Sequence, residues 1–259
     1  MAVKGAKNIL ALKHRKAREQ TGKYLIEGIR LCEEALSSQA NVEQLIFCRE
    51  SIDRNERLEQ LFQDAVYSKI PIQQTDWRAF KGMSDTETPQ GVLGVVSVPR
   101  WDRKAILQSG KPLLILDRVG DPGNLGMIMR TAEAAGAMGI FLTSGSVELF
   151  NSKVVRASMG AIFRLPVFHQ ENGIELIREL KTHGISILAA HIDGTSYGDL
   201  QYNPPLALLL GNEAFGIDED LLGMADQTVT LPMTPPVESL NIAVAAGILL
   251  YKIRERCQT

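Results

Sequence analysis

The sequence predicts an α/β protein with two unequal domains, the larger built on a parallel sheet. Three observations carry this expectation. The chain has 259 residues, which at about 150 residues per domain is more than one domain and less than two large ones. From Leu113 onward, short apolar runs alternate with helical patterns, as they do where a parallel sheet is covered on both faces. Before that point the texture changes to charged helical stretches with isolated apolar runs.

In the first part, Leu25, Ile29, Leu31, Cys32 and Leu36 recur at roughly helical spacing, predicting a helix over Lys23–Ser37. Apolar runs follow at Val42–Cys48 and at Ala65–Ile72 around Pro71. Val92, Leu93, Val95, Val96 and Val98 form a β-branched run of the kind found in a buried strand. Residues 1–98 thus form a small α/β domain, and residues 99–112, with Pro and Gly at their ends, a linker. In residues 113–259 the expected strands are Leu113–Leu116, Gly139–Leu142, Ile185–Ala190, Leu206–Leu210 and Thr228–Leu231. Helices are expected at Asn124–Ala135, Ser152–Ile162, Ile174–His183 and Leu240–Arg256.

Composition excludes several classes. Apolar residues at 45% and charged residues at 22% are globular values, so a disordered chain is ruled out. No apolar stretch is long enough to cross a membrane, and the basic N-terminus lacks the apolar core of a secretory signal. Cys32, Cys48 and Cys257 are odd in number and contain no CxxC, so they read as reduced thiols of a cytoplasmic protein, with neither disulfide nor metal site. The net charge of −2 hides an asymmetry: residues 1–30 carry +6, Lys4 among them, and the rest of the chain −8. A basic end on an acidic body is either a solvated helix face or a footprint for a polyanion.

In parallel sheets, ligands bind beyond the carboxyl ends of the strands, and three loops there carry more than structure requires. The first, after Leu116, contains Gly120, Gly123 and Gly126 and leads into a helix; Arg130 lies six residues past Asn124. Its G-x-x-G-x-x-G spacing departs from the dinucleotide fingerprint, and no acidic residue follows at the usual distance. The second runs from Gly211 through Asn212 and Glu213 to Gly216, with Asp218 suited to cap the next helix. The third follows Leu231 and holds Pro232, Pro235 and Pro236; Ser239 is placed to cap a helix from Leu240, and small residues at Ala243, Ala245, Ala246 and Gly247 let another backbone come close.

Together the loops resemble one family. Asn124-Leu-Gly-Met-Ile-Met-Arg130, Gly211-Asn-Glu-Ala-Phe-Gly216, and Leu231-Pro-Met followed by Glu238-Ser-Leu-Asn-Ile-Ala-Val-Ala-Ala-Gly247 are similar, in order and spacing, to the three motifs of SpoU-class RNA ribose 2′-O-methyltransferases of the SPOUT superfamily. The likeness covers about 150 residues and extends to Asn151–Val167. Ala214 and Met127 stand where the family often has Gly and Thr.

The resemblance implies a C-terminal parallel sheet with a deep trefoil knot, S-adenosylmethionine bound within it, and a homodimer with the active site at the subunit interface. Carried onto this chain, Gly211, Leu231, Leu240, Ala190 and Met233 would hold the cofactor. Arg130, Asn124, Glu213, Ser239 and Asn241 would form the catalytic group. A guanidinium with pKa above about 12 is a poor base, so Arg130 is expected to hold a phosphate and stabilise alkoxide charge, leaving the proton to phosphate or water. The N-terminal part resembles a ribosomal-protein-like RNA-binding domain, with Lys7, Lys13, Arg15, Lys16, Arg18 and, further on, Arg156 on phosphates. Ribosomal RNA is the expected substrate ahead of transfer RNA. Two rival readings remain: a dinucleotide oxidoreductase on the same sheet, which binding of NAD against S-adenosylmethionine separates, and a non-catalytic RNA-binding module, against which Asn124, Arg130, Glu213, Ser239 and Asn241 stand together.

Overall fold

Two units divide the chain, and the division is not a single cut. In the computed structural model, which describes residues 6–38 and 40–257, one unit comprises residues up to Arg100 together with Phe150–Arg164, and the other Trp101–Leu149 together with Leu165 onward. Lys4 and the Cys257 side chain lie outside the described residues.

The first unit runs α1 (Ala6–Ala11), α2 (Arg15–Thr21), β1 (Lys23–Glu27), α3 (Ile29–Ser37), β2 (Val42–Cys48), α4 (Arg49–Ile52), α5 (Glu56–Tyr67), β3 (Ile72–Thr75), α6 (Trp77–Met83) and β4 (Val92–Ser97). Its sheet has the order β1-β4-β2-β3, with β2 and β3 parallel and the other pairs antiparallel. The single helix expected over Lys23–Ser37 is instead a strand and a helix. Tyr24 and Ile26 are buried alternately as β1 pairs with β4, and Gly28, at φ +102, turns the chain into α3. The apolar run at Ala65–Ile72 likewise divides between the end of α5 and the start of β3.

One face of this sheet buries Ile46, Cys48, Leu93 and Val95 under Ile9 of α1, Leu12 just past that helix, and Phe80 and Met83 of α6. Strand alternation sends Phe47 to the other face, where it meets Phe62 of α5 edge-on. The helix expected over Ser152–Ile162 is shorter, Ser152–Ala157 (α9 in chain order); past its cap at Ser158 the chain turns through Met159 at φ +48 and Gly160 at φ +95 into a 3-10 turn over Ala161–Phe163. Phe150 rests against Tyr24, and Arg164 pairs with Glu34, which ties this excursion to the first unit.

The second unit contains α7 (Arg103–Leu107), β5 (Leu113–Leu116), α8 (Pro122–Ala135), β6 (Gly139–Thr143), β7 (Val167–Glu171), α10 (Gly173–Thr182), β8 (Ser186–Ser196), β9 (Leu206–Leu210), α11 (Glu219–Leu222), β10 (Gln227–Thr230) and α12 (Ile242–Cys257). Its six strands are all parallel, in the order β10-β8-β9-β5-β6-β7. The predicted linker is partly core: Ile106 and Leu107 of α7 are buried with Leu176, Ile177 and Leu180 of α10 against Leu113, Ile115 and Leu209. Arg103 bonds both Glu171 and Glu179 and lies over the Phe141 and Phe168 rings. Strand β7 escaped the sequence reading because its second half, His-Gln-Glu, is polar, as suits a sheet edge. On the opposite face α12 packs on α8 and reaches β9.

Candidate active site

Because all six strands run the same way, the loops leaving β5, β8, β9 and β10 gather along one edge of the sheet. Buried strand β5 delivers Asp117, 2% exposed, to that edge. The Asp117 carboxylate accepts hydrogen bonds from Thr143 Oγ1 (2.8 Å), from the Arg118 guanidinium (2.9 Å) and from the Asp218 backbone N–H (3.0 Å). This carboxylate holds the Arg118 guanidinium above its ordinary pKa. Arg118 sits at φ +52, an uncommon backbone conformation for a residue with a Cβ.

Asp121 caps α8, accepting from Asn124 N at 2.7 Å, and Pro122 occupies the first turn. The helix therefore starts two residues before Asn124, and the Asn124 side chain is free for other work. Its Nδ2 donates to Glu213 Oε1 at 2.9 Å, and its Oδ1 accepts from Asn241 Nδ2 at 2.9 Å. Gly120 N–H also donates to Glu213 Oε2, at 3.4 Å. One residue from each of the three loops is thus joined in a single hydrogen-bonded row.

The second loop is held from within. A Cβ on Gly211 would lie 2.2 Å from the Gly216 carbonyl carbon, so no larger residue fits there without moving the backbone. Asn212 exchanges two backbone bonds with Gly216, accepts from the Ala214 and Phe215 N–H groups, and donates to the Arg118 carbonyl at 2.6 Å. Asp218 caps α11 as expected, accepting from Asp220 N.

The third loop corrects one expectation. Helix α12 begins at Ile242, and Asn241, not Ser239, caps it by accepting from Ala243 N at 2.9 Å. Ser239 instead lines a cleft of about 180 Å³ with Ala190, Leu231, Met233 and Leu240. The cleft exists because the β8–β10 pairing slips: Thr228 lies opposite Ala189 but Val229 opposite Thr195, so residues 190–194 bulge out of the ladder. Four of the five expected cofactor residues line the cleft. Gly211 is not among them; its place is the tight turn of its own loop. Arg130, on α8, is exposed and makes no hydrogen bond or ion pair with any described residue.

The basic residues of the first unit divide by what they already hold. Lys7 and Lys16 are exposed, Arg15 pairs with Glu19, and Lys13 donates to the Ser84 carbonyl and pairs with Asp85. Arg18 does not suit a phosphate contact: it is 8% exposed and donates to the Leu12 and Lys13 carbonyls, closing the α1–α2 turn. Arg156 lines a small crevice with Glu27, Met83 and Asp85.

The motif row is matched by relatives. Residues 111–251 fit the family model described as the SpoU rRNA Methylase family, and residues 4–94 that of an MRM3-like substrate binding domain. The chain belongs to the SpoU rRNA methylase family. It is 35% identical to the 23S rRNA (guanosine(2553)-2′-O)-methyltransferase RlmP of Bacillus subtilis, over 93% of this chain and 92% of that one. Among solved structures, the AdoMet-bound rRNA methyltransferase of Sinorhizobium meliloti superposes with a TM-score of 0.82 at 31% identity, covering 96% and 94% of the two chains. The SpoU methyltransferase AviRb of Streptomyces viridochromogenes, in complex with AdoMet, gives 0.85 at 25% identity, covering 98% of each. Both of these relatives were solved with the cofactor that the motifs imply.

Within this SpoU chain, the cleft fits that cofactor chemically. Ile192, Leu231, Leu240 and Leu249 provide apolar walls for a flat purine, while His191 and Glu238 supply polar groups at the same cleft. Sequence reasoning missed Asp117, Asp121 and Asn212 as organisers, although all three lie beside or inside the motifs. It also missed His191 and Ile192, which only the bulge brings to the site.

Proposed function

We propose that this SpoU-family enzyme transfers a methyl group from S-adenosylmethionine to a ribose 2′-hydroxyl of 23S ribosomal RNA. The row Glu213–Asn124–Asn241 carries the reading: it fixes three loops beside the cleft and leaves Arg130, on the same helix as Asn124, free to meet a ligand. Bound S-adenosylmethionine supplies an electrophilic methyl group. The chain's own residues then have mainly to position the hydroxyl. Arg130 holds the adjacent phosphate and stabilises charge developing on the 2′-oxygen, while the proton passes to phosphate or water. Asn124, Glu213 and Asn241 keep the loops in register, and Ser239 orients ribose or phosphate from the cleft wall. Ala190, Leu231, Met233 and Leu240 hold the adenosine portion, and Gly211 shapes the loop beside it.

By function we assign residues 1–98 to substrate RNA, 99–112 to the connection and 113–259 to methyl transfer, a division that departs from the structural units in leaving Phe150–Arg164 with the methyl-transfer part and α7 with the connection. Lys7 and Lys16 are the phosphate contacts best supported by exposure, and Lys13, Arg15 and Arg156 join them if RNA displaces their present partners. A homodimer is supported by α12, whose Val244, Ile248 and Tyr251 are exposed at helical spacing. The path that places β10 outside β8 and then returns α12 over β9 to α8 supports a trefoil knot. The cytoplasm is the expected compartment; among the described residues no helix is long and apolar enough to cross a membrane.

The test is to map 2′-O-methyl positions in total RNA with and without the gene. Loss of one ribosomal position is expected; loss of a transfer-RNA position instead would overturn the substrate. In purified enzyme, Arg130→Ala should bind S-adenosylmethionine normally and transfer at least about a hundredfold more slowly; near-normal transfer would remove Arg130 from the reaction.

A further inference from the structure

The two faces of the first unit's sheet differ in charge. Helices α3 and α5, on the Phe47 side, carry Glu33, Glu34, Glu56, Glu59 and Asp64 against Arg30 and Arg57. Helices α1 and α6, which cover the other face, carry Lys7, Arg78 and Lys81 and no carboxylate. All three cations are exposed, and none has a hydrogen bond or ion pair among the described residues. The carboxylates near this layer are engaged: Glu50 of α4 accepts from the Trp77 backbone N–H and from Cys48 Sγ, Asp76 accepts from Ala79 N, Asp85 pairs with Lys13, and Glu27 accepts from Thr86.

Trp77 stands among these cations. It is 40% exposed at the start of α6, while Phe80 and Met83 of the same helix face the core. Trp77 and Lys81 are four residues apart and Arg78 and Lys81 three, so they are neighbours on the helix surface. Helix α1, carrying Lys7, packs against α6. An exposed indole costs solvation, and a core residue would have been turned inward with Phe80. An indole plane flanked by unpaired cations matches one ligand chemistry, a single-stranded polynucleotide whose bases stack on the ring while its phosphates meet Arg and Lys.

We propose that Trp77, Arg78 and Lys81 on α6, with Lys7 on α1, form a docking face for a single-stranded segment of the substrate RNA, with Trp77 as the stacking platform. The proposal rests on the RNA-methylation reading and adds to it the surface and the strand state recognised. Because stacking is sequence-tolerant, this face grips the RNA and leaves nucleotide choice to the methyl-transfer site.

Trp77 and Trp101 are the only two tryptophans in the sequence, so a Trp101→Phe full-length protein reports on Trp77 alone. Titration with a short oligouridylate should quench Trp77 emission saturably. Should Trp101→Phe lower stability, the difference between native protein and Trp77→Phe gives the same readout. The double variant Arg78→Ala/Lys81→Ala should weaken binding about tenfold and reduce the slope of log affinity against log salt by about 1.4, at about 0.7 per contact on a single strand. Trp77→Ala should weaken it about tenfold or more. Unchanged Trp77 emission while a labelled oligouridylate binds, an unchanged salt slope, or no oligouridylate binding at all would each overturn the docking face. Methyl transfer from labelled S-adenosylmethionine to ribosomal RNA, measured in parallel, separates the two readings: its absence would overturn the RNA-methylation reading itself.

Discussion

The Asn124 carboxamide spans two motifs at once, donating to Glu213 and accepting from Asn241, with 2.9 Å on each side. Donor and acceptor ends are both used, so neither aspartate nor alanine can replace it. Asn124→Asp would set a second carboxylate against Glu213 and lose the donated bond. Methyl transfer should fall about tenfold to a hundredfold while S-adenosylmethionine affinity changes by less than a few-fold. Parallel turnover and calorimetric binding measurements check this; an equal loss of both would show that the row holds the cofactor cleft instead.

Gly211→Ala is expected to disrupt the second loop. Its Cβ would fall 2.2 Å from backbone atoms of both Gly216 and Ile217, and a backbone cannot swing aside as a side chain does. A stability loss of about 1–3 kcal/mol is expected, with weaker cofactor binding. Thermal unfolding of the variant with and without S-adenosylmethionine measures both effects.

Filling the cleft should oppose the cofactor directly. Ala190 lies at the root of the bulge and lines the cleft. Ala190→Leu should reduce S-adenosylmethionine affinity at least about tenfold, equivalent to about 1.4 kcal/mol. The fold should be unchanged by circular dichroism.

Acid stability should depend on the Arg103 cluster. Hydrogen bonding to Arg103 is the largest influence lowering the Glu179 carboxyl below its ordinary value, against an opposing effect of burial. A carboxyl lowered in the fold adds stability above its unfolded pKa, about 4.3, and that stability is lost as pH falls through the lower folded value. Glu179→Gln should therefore flatten the decline in unfolding midpoint below about pH 4.3, with the protein otherwise less stable at neutral pH. An unchanged acid profile would remove Glu179 from that decline.

The exposed stripe on α12 gives a prediction about assembly. Ile248→Lys should convert a dimer to a monomer in sedimentation and abolish methyl transfer, since the active site is expected at the interface. A native protein that sediments as a monomer would overturn the dimer.

The order of the chemistry was legible in the sequence. Buried parallel strands announce themselves by apolar continuity, and Leu113–Leu116 and Leu206–Leu210 were bounded correctly because both faces are covered. The motif residues Asn124, Glu213 and Asn241 are legible only through the order and spacing of three motifs that resemble the SpoU class, since each alone also fits an ordinary turn or helix start. What failed was local periodicity wherever two patterns overlap. Lys23–Ser37 satisfies a helical spacing, yet pairing with β4 and the positive φ at Gly28 make its first part a strand.

The sequence by itself determined the class of fold, the three loops that matter and the family to which they belong, because those depend on burial pattern and on residue order. Only the tertiary structure decided which groups work together. It gave helix capping to Asn241 in place of Ser239, buried Arg18 while leaving Lys7 and Lys16 exposed, and opened the cleft by a slip in β-pairing between Ala189 and Thr195. Hydrogen bonds between loops about ninety and a hundred and seventeen residues apart, and the register of one strand against another, are set by long-range packing that no short window of sequence contains.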